Sequence, residues 1–376
     1  MDAARTDWRL VILLWVAGLL AAAQFAKVSL VLKDVARFFQ SDLAGVAPIV
    51  SVVGVIGIVF GVMAGAFVTR LGARRVILWA LIGGGALSLF QAIGLGFTTM
   101  MALRIFEGIS HLALVVAAPT LMVRVSAPQD HSVVMGLWAT FFGVSFAISA
   151  VVLPALVALG GLKLVWAVHG VLMLVIAGCL APFLPKGTRS AVPIQWVAEH
   201  RLIYSSPRLV APALGFFWHT LMFVALLTFL PAQVPVWVAV LLPLLSLVGT
   251  FGAGFLARWI APDRIAVAGF LATAALALIG FGASVPTLLL FVFIGLVPGA
   301  SFAAIPHFNT APEDVARAQG AVAQLGNIGT ASGTPLYALA LGGVGLGPLT
   351  IALCVFGVIS LLLIRRAIDG HAKEMS

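Results

Sequence analysis

Charge is what this chain has least of. Its 376 residues hold 21 Lys+Arg and 12 Asp+Glu, 9% in all, where a soluble domain carries roughly a quarter. So few charges cannot clothe a water-facing surface, which excludes a large soluble domain. Cysteine is nearly as scarce. Cys179 and Cys354 both lie inside apolar runs, which argues for packing and against a disulfide framework or a metal site. No Gly-x-x-x-x-Gly-Lys-[Ser/Thr] loop occurs, so nothing points to ATP as a driving force within this chain. The net charge of +9 comes from basic residues scattered through short loops, a pattern that sets membrane topology and does not suggest nucleic acid. No cofactor is expected.

What fills the chain is apolar: 62% of residues, with a mean hydropathy of +1.18. A spanning helix needs about 20 mostly apolar residues. Twelve such runs are readable, at about 9–32, 44–68, 76–97, 99–123, 133–159, 163–184, 209–230, 235–257, 265–283, 286–309, 318–340 and 345–364. Continuous runs of this kind predict helices, because a closed barrel is built from short alternating segments. The first run, with Arg5 and Arg9 ahead of it and Ala21-Ala22-Ala23 inside, shares features with a cleavable signal peptide. Its apolar character continues to Leu32, which favours a span. With the N-terminus placed in the cytoplasm, 16 of the 21 Lys+Arg fall on the cytoplasmic side. Lys33, Arg37 and Lys163 fall outside, while Lys27 and Arg104 lie within spans. That bias predicts both termini cytoplasmic.

The layout repeats. The longest polar interval, 186–208, reads as a central cytoplasmic loop between an N-terminal bundle, 1–185, and a C-terminal bundle, 209–376. Ala127-Pro128-Gln129-Asp130 begins nine residues before Gly136, and Ala311-Pro312-Glu313-Asp314 begins nine residues before Gly320. Each follows the fourth span of its half. Between spans two and three, Gly65 to Arg75 reads Gly-Ala-Phe-Val-Thr-Arg-Leu-Gly-Ala-Arg-Arg, and Gly254, Arg258 and Arg264 form a degenerate copy in the second half.

The Gly65–Arg75 stretch resembles the loop signature of the Major Facilitator Superfamily, Gly-x-x-x-Asp-Arg-x-Gly-Arg-Arg. Gly65, Arg70, Gly72, Arg74 and Arg75 match, and Thr69 stands in place of Asp. With the six-plus-six layout, the resemblance extends over essentially the whole chain. It implies an all-α membrane protein of twelve transmembrane helices in two pseudo-symmetric six-helix bundles. A small-molecule substrate would lie between them near the midplane, with spans 1, 4, 7 and 10 lining the cavity. It further implies a transporter and not an enzyme, a monomer in the lipid bilayer of a bacterial inner membrane. In that family the missing Asp is thought to latch the cytoplasmic side. Without it, Arg70, Arg74 and Arg75 need another partner, for which Asp130 is the candidate.

Ionisable residues within spans are costly and mark functional candidates. Arg104, Glu107 and His111 in span 4 are spaced three and four residues apart, on one helical stripe. Arg104-Ile105-Phe106-Glu107-Gly108 is also similar to the family's fourth-helix pattern, Arg-x-x-Gln-Gly. Arg104 lies about 7 Å below the outer end of its span at 1.5 Å rise per residue, at a depth close to that of Lys27 in span 1. A Lys27–Glu107–Arg104 cluster with one spare positive charge is therefore expected. In the functional reading, Lys27 and Arg104 bind an anionic group while Glu107 or His111 carries a coupling proton. In the structural reading, the three form a neutralised ion pair with Lys27 reaching toward the interface. His219 in span 7, among Phe216, Phe217 and Trp218, would face the cavity from the other half and titrates near neutrality. Gln324 and Asn327 sit among the glycines of span 11, a run that looks like the glycine-rich eleventh helix of anion-transporting branches, although glycines so spaced also serve close packing. These observations favour a proton-coupled symporter of a small organic anion. Efflux of amphipathic compounds, and a non-transporting receptor or assembly factor, remain as alternatives.

Overall fold

The computed structural model describes residues 5–185 and 195–374, and these are almost wholly helical. The first half comprises α1 (Trp8–Ser29), short α2 (Leu32–Phe38) and α3 (Leu43–Val46), α4 (Pro48–Leu71), α5 (Ala73–Ala92), α6 (Phe97–Arg124), α7 (His131–Ala139) and α8 (Phe141–Leu180). Then follow α9 (Trp196–Ser205), α10 (Pro207–Phe229), α11 (Val236–Leu256), α12 (Pro262–Gly280), α13 (Ser284–Phe308), α14 (Pro312–Leu341) and α15 (Leu346–Glu374). Among the described residues, ten stretches are long and apolar enough to cross a membrane. One of these, 128–180, folds back at Gly160–Gly161, where Gly161 takes φ +66, a conformation that costs glycine little. That stretch therefore crosses twice. α14 is too polar to be among the ten, yet it packs along both α4 and α10, and it completes the twelve expected crossings.

Three boundaries differ from expectation. The fifth span breaks at Thr140 into α7 and α8. The last helix continues well past residue 364, because Arg365 pairs with Asp369 one turn on (3.1 Å) and with Asp263 of α12 (3.4 Å). The interval expected as a central loop holds the helix α9, which buries Ile203, and α10 starts at Pro207 with proline in its favoured first-turn position. Residues 186–194 of that interval lie outside the described residues.

Packing repeats between the halves. α4 and α5 both pack on α6, as α11 and α12 both pack on α13; α1 and α5 pack on α8, while α10 packs on α14 and α12 on α15. Two seams join the halves, and the repeated motifs meet there. A methyl on Gly136 of α7 would stand 2.6 Å from the Cα of Gly254 in α11. Its counterpart Gly320 in α14 lies against α4, where an added methyl would be 2.7 Å from the Gly61 carbonyl, and Gly65 abuts the backbone of Ala316. Glycine at these five places lets helix backbones approach with no side chain between them.

The apolar core shows how the seams close. At the termini-bearing end one cluster runs through both halves, joining Leu10, Leu14 and Leu121 to Phe302, Ile305 and Val322. Toward the opposite end the core is divided. One cluster around Val35, Ile49 and Trp166 belongs to the first half, and another around Leu226, Leu242 and Phe291 belongs to the second. Between the halves at the termini-bearing end lies a vestibule of about 730 Å³, lined by Thr69, Arg124, His131, Arg258, His307 and Glu313 among others.

Candidate functional site

The helical stripe on α6 meets α1 as its spacing implied. Glu107 Oε1 accepts from Lys27 Nζ at 2.5 Å, and Oε2 accepts from an Arg104 terminal nitrogen at 2.6 Å. All three side chains are 1% exposed or less. Arg104 also donates to the Ile49 carbonyl of α4 (3.1 Å) and the Gln24 carbonyl of α1 (2.6 Å), so its planar fork ties three helices together.

The cluster does not stand between the bundles. It is sealed within the first one, where α5 and α8 complete it. Gln91 Nε2 donates to Glu107 Oε2 (2.9 Å). Lys27 Nζ donates to Ser88 Oγ (2.7 Å), and Ser88 donates onward to the Trp166 carbonyl (2.9 Å). His169 Nδ1 lies 3.4 Å from Lys27 Nζ, and its Nε2 lies 3.0 Å from the Leu20 carbonyl. A carbonyl only accepts, so Nε2 carries the ring proton and Nδ1 turns its lone pair to Lys27. Three acceptors therefore surround the ammonium. Three polar atoms here, Arg104 Nη2, Gln91 Oε1 and Gln24 Oε1, have no protein partner.

His111 sits one turn further along α6. Its Nδ1 is 2.9 Å from the Ala21 carbonyl, which by the same reasoning leaves Nε2 as an acceptor. The ring meets Phe25 edge-on, with centroids 4.9 Å apart, and Phe25 is followed by Phe142 at 6.1 Å. Phe25 also borders Gly54 of α4, whose other neighbour is Asn327 of α14. From there the wall continues into the second half. Gly326 abuts Phe216, and His219 lies stacked between Phe216 (6.2 Å) and Phe223 (4.8 Å), its Nδ1 buried without a partner. A chain of aromatic and imidazole contacts thus runs from one bundle to the other.

Gln324 is placed differently. It donates to the Ile58 carbonyl of α4 (2.8 Å) and accepts from Tyr204 of α9 (2.6 Å), so it stitches the seam. Burial pushes the Tyr204 phenol up from its ordinary value, which keeps it a donor at neutral pH. Asn327 Nδ2 donates to the Ala323 carbonyl of its own helix (2.7 Å).

The basic loop needs Gly72, which turns the chain at φ +85 between α4 and α5. Thr69 bonds back to the Gly65 carbonyl (3.1 Å), as a hydroxyl in a last helical turn can and a carboxylate cannot. Arg74 donates to the Leu184 carbonyl. Asp130, proposed as the partner of Arg70, Arg74 and Arg75, instead accepts from Arg258 of α11 (2.8 Å) and from Thr6 (2.6 Å). An ion pair thus bridges the halves, but its cation comes from the degenerate copy of the loop. Asp314, the repeat of Asp130, turns to Arg317 (3.1 Å), which also binds Glu199 of α9 (3.0 Å).

Gln24, Ser88, Gln91 and His169 were not singled out by sequence reasoning. A signal for His169 existed: it is an ionisable residue inside an apolar run. Ser88 and the two glutamines carry no such mark, since only the packing of α1, α5 and α6 brings Gln91 to Glu107, Ser88 to Lys27 and Gln24 to Ser110.

The family model described as the Major Facilitator Superfamily matches residues 14–338. The fold is similar to that of the human organic anion transporter MFSD10 (TETRAN), with a TM-score of 0.74 at 19% identity over 95% of this chain and 99% of that one. It is also similar to the E. coli fucose:proton symporter FucP, with a TM-score of 0.75 at 15% identity over 96% of this chain and 98% of that one. The proton:xylose symporter XylE, bound to 6-bromo-6-deoxy-D-glucose, matches with a TM-score of 0.75 at 12% identity over 96% of this chain and 95% of that one. Identities this low speak for the fold alone. No curated protein matches the chain.

Proposed function

Since the chain belongs to the Major Facilitator Superfamily, we propose that it is a proton-coupled secondary transporter of a small organic solute bearing an anionic group, working by alternating access. The observation that carries this reading is the sealed Lys27–Glu107–Arg104 cluster. Charges inside a spanning bundle are expensive and need a reason. Packing does not supply one. At the offset that relates Ala127 to Ala311, Arg104 and Glu107 correspond to Leu288 and Phe291, and the second bundle builds its core there from buried Phe291 and its apolar neighbours. One bundle stands without such charges, so their presence in the other supports a role in handling the proton, with His111 as the link to the space between the bundles.

The substrate would meet the lining of Phe25, His111, Phe142, Phe216, His219 and Asn327. Rings suit an apolar or flat body, and imidazoles can take up a proton and attract a carboxylate. Both termini are assigned to the cytoplasm of a bacterial inner membrane, where the protein works as a monomer without chemical conversion of its substrate. Efflux of amphipathic compounds is the second reading, favoured by the sealing of Lys27 and Arg104 away from that lining.

The test is uptake into proteoliposomes under an imposed pH gradient, with lactate, succinate and benzoate beside cationic dyes. Carboxylate accumulation that follows the gradient supports the proposal, with loss of coupling expected in Glu107→Gln. Dye movement that persists in Arg104→Ala, with no carboxylate transport by the wild type, replaces it with efflux.

A further inference from the structure

We propose that the proton is carried by Lys27, with His169 as its positioned acceptor and Glu107 as a counter-ion that stays ionised. This rests on the proton-coupled reading above and names the atoms within it. The argument is a count of charge in a place sealed from water. With Lys27 and Arg104 protonated and Glu107 ionised, the cluster holds two cations and one anion. Protonating Glu107 would leave two buried cations with no anion between them. Arg104 does not give up a proton in proteins. Loss of the proton from Lys27 leaves a neutral Arg104–Glu107 pair, still hydrogen-bonded at 2.6 Å and still held by the Ile49 and Gln24 carbonyls. Of the changes available to the three, only this one relieves the unbalanced charge.

Geometry supplies the acceptor. The groups facing Lys27 are Glu107 from α6, His169 from α8 and Ser88 from α5, with Arg104 behind Glu107. Nothing titratable approaches it from α4, which offers the Ile49 carbonyl to Arg104, and Gln91 of α5 is uncharged. Ser88 already donates to the Trp166 carbonyl and Glu107 already holds two cations. The lone pair of His169 Nδ1, fixed in place by the Nε2–H bond to the Leu20 carbonyl, also lies 3.1 Å from Ser88 Oγ; with the Ser88 proton given to Trp166, it is the base left over. Transfer moves one proton from Nζ to Nδ1 and leaves an amine and an imidazolium with the total charge unchanged; the imbalance is relieved when the imidazolium gives that proton to water, in a conformation that admits water to the cluster.

Two variants hold Lys27 in one state each. Lys27→Arg stays protonated, and Lys27→Met reproduces the neutral Arg104–Glu107 pair. In proteoliposomes tested with lactate, succinate and benzoate, gradient-driven accumulation is compared with counterflow at equal pH on both sides. The ratio of the two is expected to fall at least tenfold in both variants, and to fall in His169→Leu with a changed pH profile of accumulation. A wild-type ratio in Lys27→Arg overturns the assignment to Lys27, and an unaltered profile in His169→Leu overturns the part given to His169. Should Lys27→Arg not be recovered as a monodisperse protein, Lys27→Met decides alone, since its neutral pair is expected to fold. A wild-type protein that moves no carboxylate in either assay refutes the proton-coupled anion reading, and the proposal falls with it.

Discussion

Replacing Glu107 by Gln isolates the electrostatics of the first bundle. The side chain keeps its shape but loses its charge, and its new amide N–H₂ faces donors. Lys27 at 2.5 Å, Arg104 at 2.6 Å and Gln91 at 2.9 Å all donate to the carboxylate now. Removing one partner of a buried ion pair costs about 3–5 kcal/mol, because the remaining charge is left uncompensated. Here two cations are left, so the upper part of that range applies. Lys27→Met should cost much less, since it leaves a neutral pair. The double variant should be less destabilised than the two single effects added together, by about 0.5–3 kcal/mol, because the residues are in contact. At roughly 2–4 °C per kcal/mol for a large domain, about 4–5 kcal/mol in Glu107→Gln should lower the apparent Tm by about 8–20 °C. Fluorescence-detected size exclusion after heating reads this directly. A Glu107→Gln protein as stable as the wild type, or Lys27→Met less stable than Glu107→Gln, would refute the charge count.

At the seam between α7 and α11, Gly136→Ala places a methyl 2.6 Å from the Gly254 backbone, which has no side chain to move aside. The bundles should part at the termini-bearing end, and labelling of a Thr120→Cys probe in the vestibule by maleimide should rise several-fold; an unchanged rate contradicts the close approach. The α9 helix is held to α14 by Glu199–Arg317 and Tyr204–Gln324, and it meets α4 through the edge contact of Trp196 with Phe60. The Glu199–Arg317 pair is partly exposed, so Glu199→Gln should cost no more than about 1 kcal/mol of global stability. Glu199→Gln combined with Tyr204→Phe should nonetheless free α9 and speed tryptic cleavage at Arg201 several-fold.

The crossings were legible from composition because a bilayer enforces one rule along the whole chain: about 20 apolar residues per span, with backbone groups satisfied inside each helix. The turn at Gly160–Gly161 and the repeats ending at Gly136 and Gly320 belong to the same local grammar. The stripe of Arg104, Glu107 and His111 was readable too, since helical spacing sets which residues share a face. What it faces was not. α6 packs on α1, α4, α5 and α14, with α8 laid across α1 and α5. Only the packing of those helices puts Lys27, Ser88, Gln91 and His169 around Glu107. The same holds for Asp130, whose nearest basic residues in sequence are not its partners. Its cation, Arg258, arrives from the other half of the chain, brought there by the Gly136–Gly254 approach. Local periodicity determines helices and their faces; which face meets which is decided by close contacts between residues on different helices, 80 positions apart for Lys27–Glu107 and 128 for Asp130–Arg258.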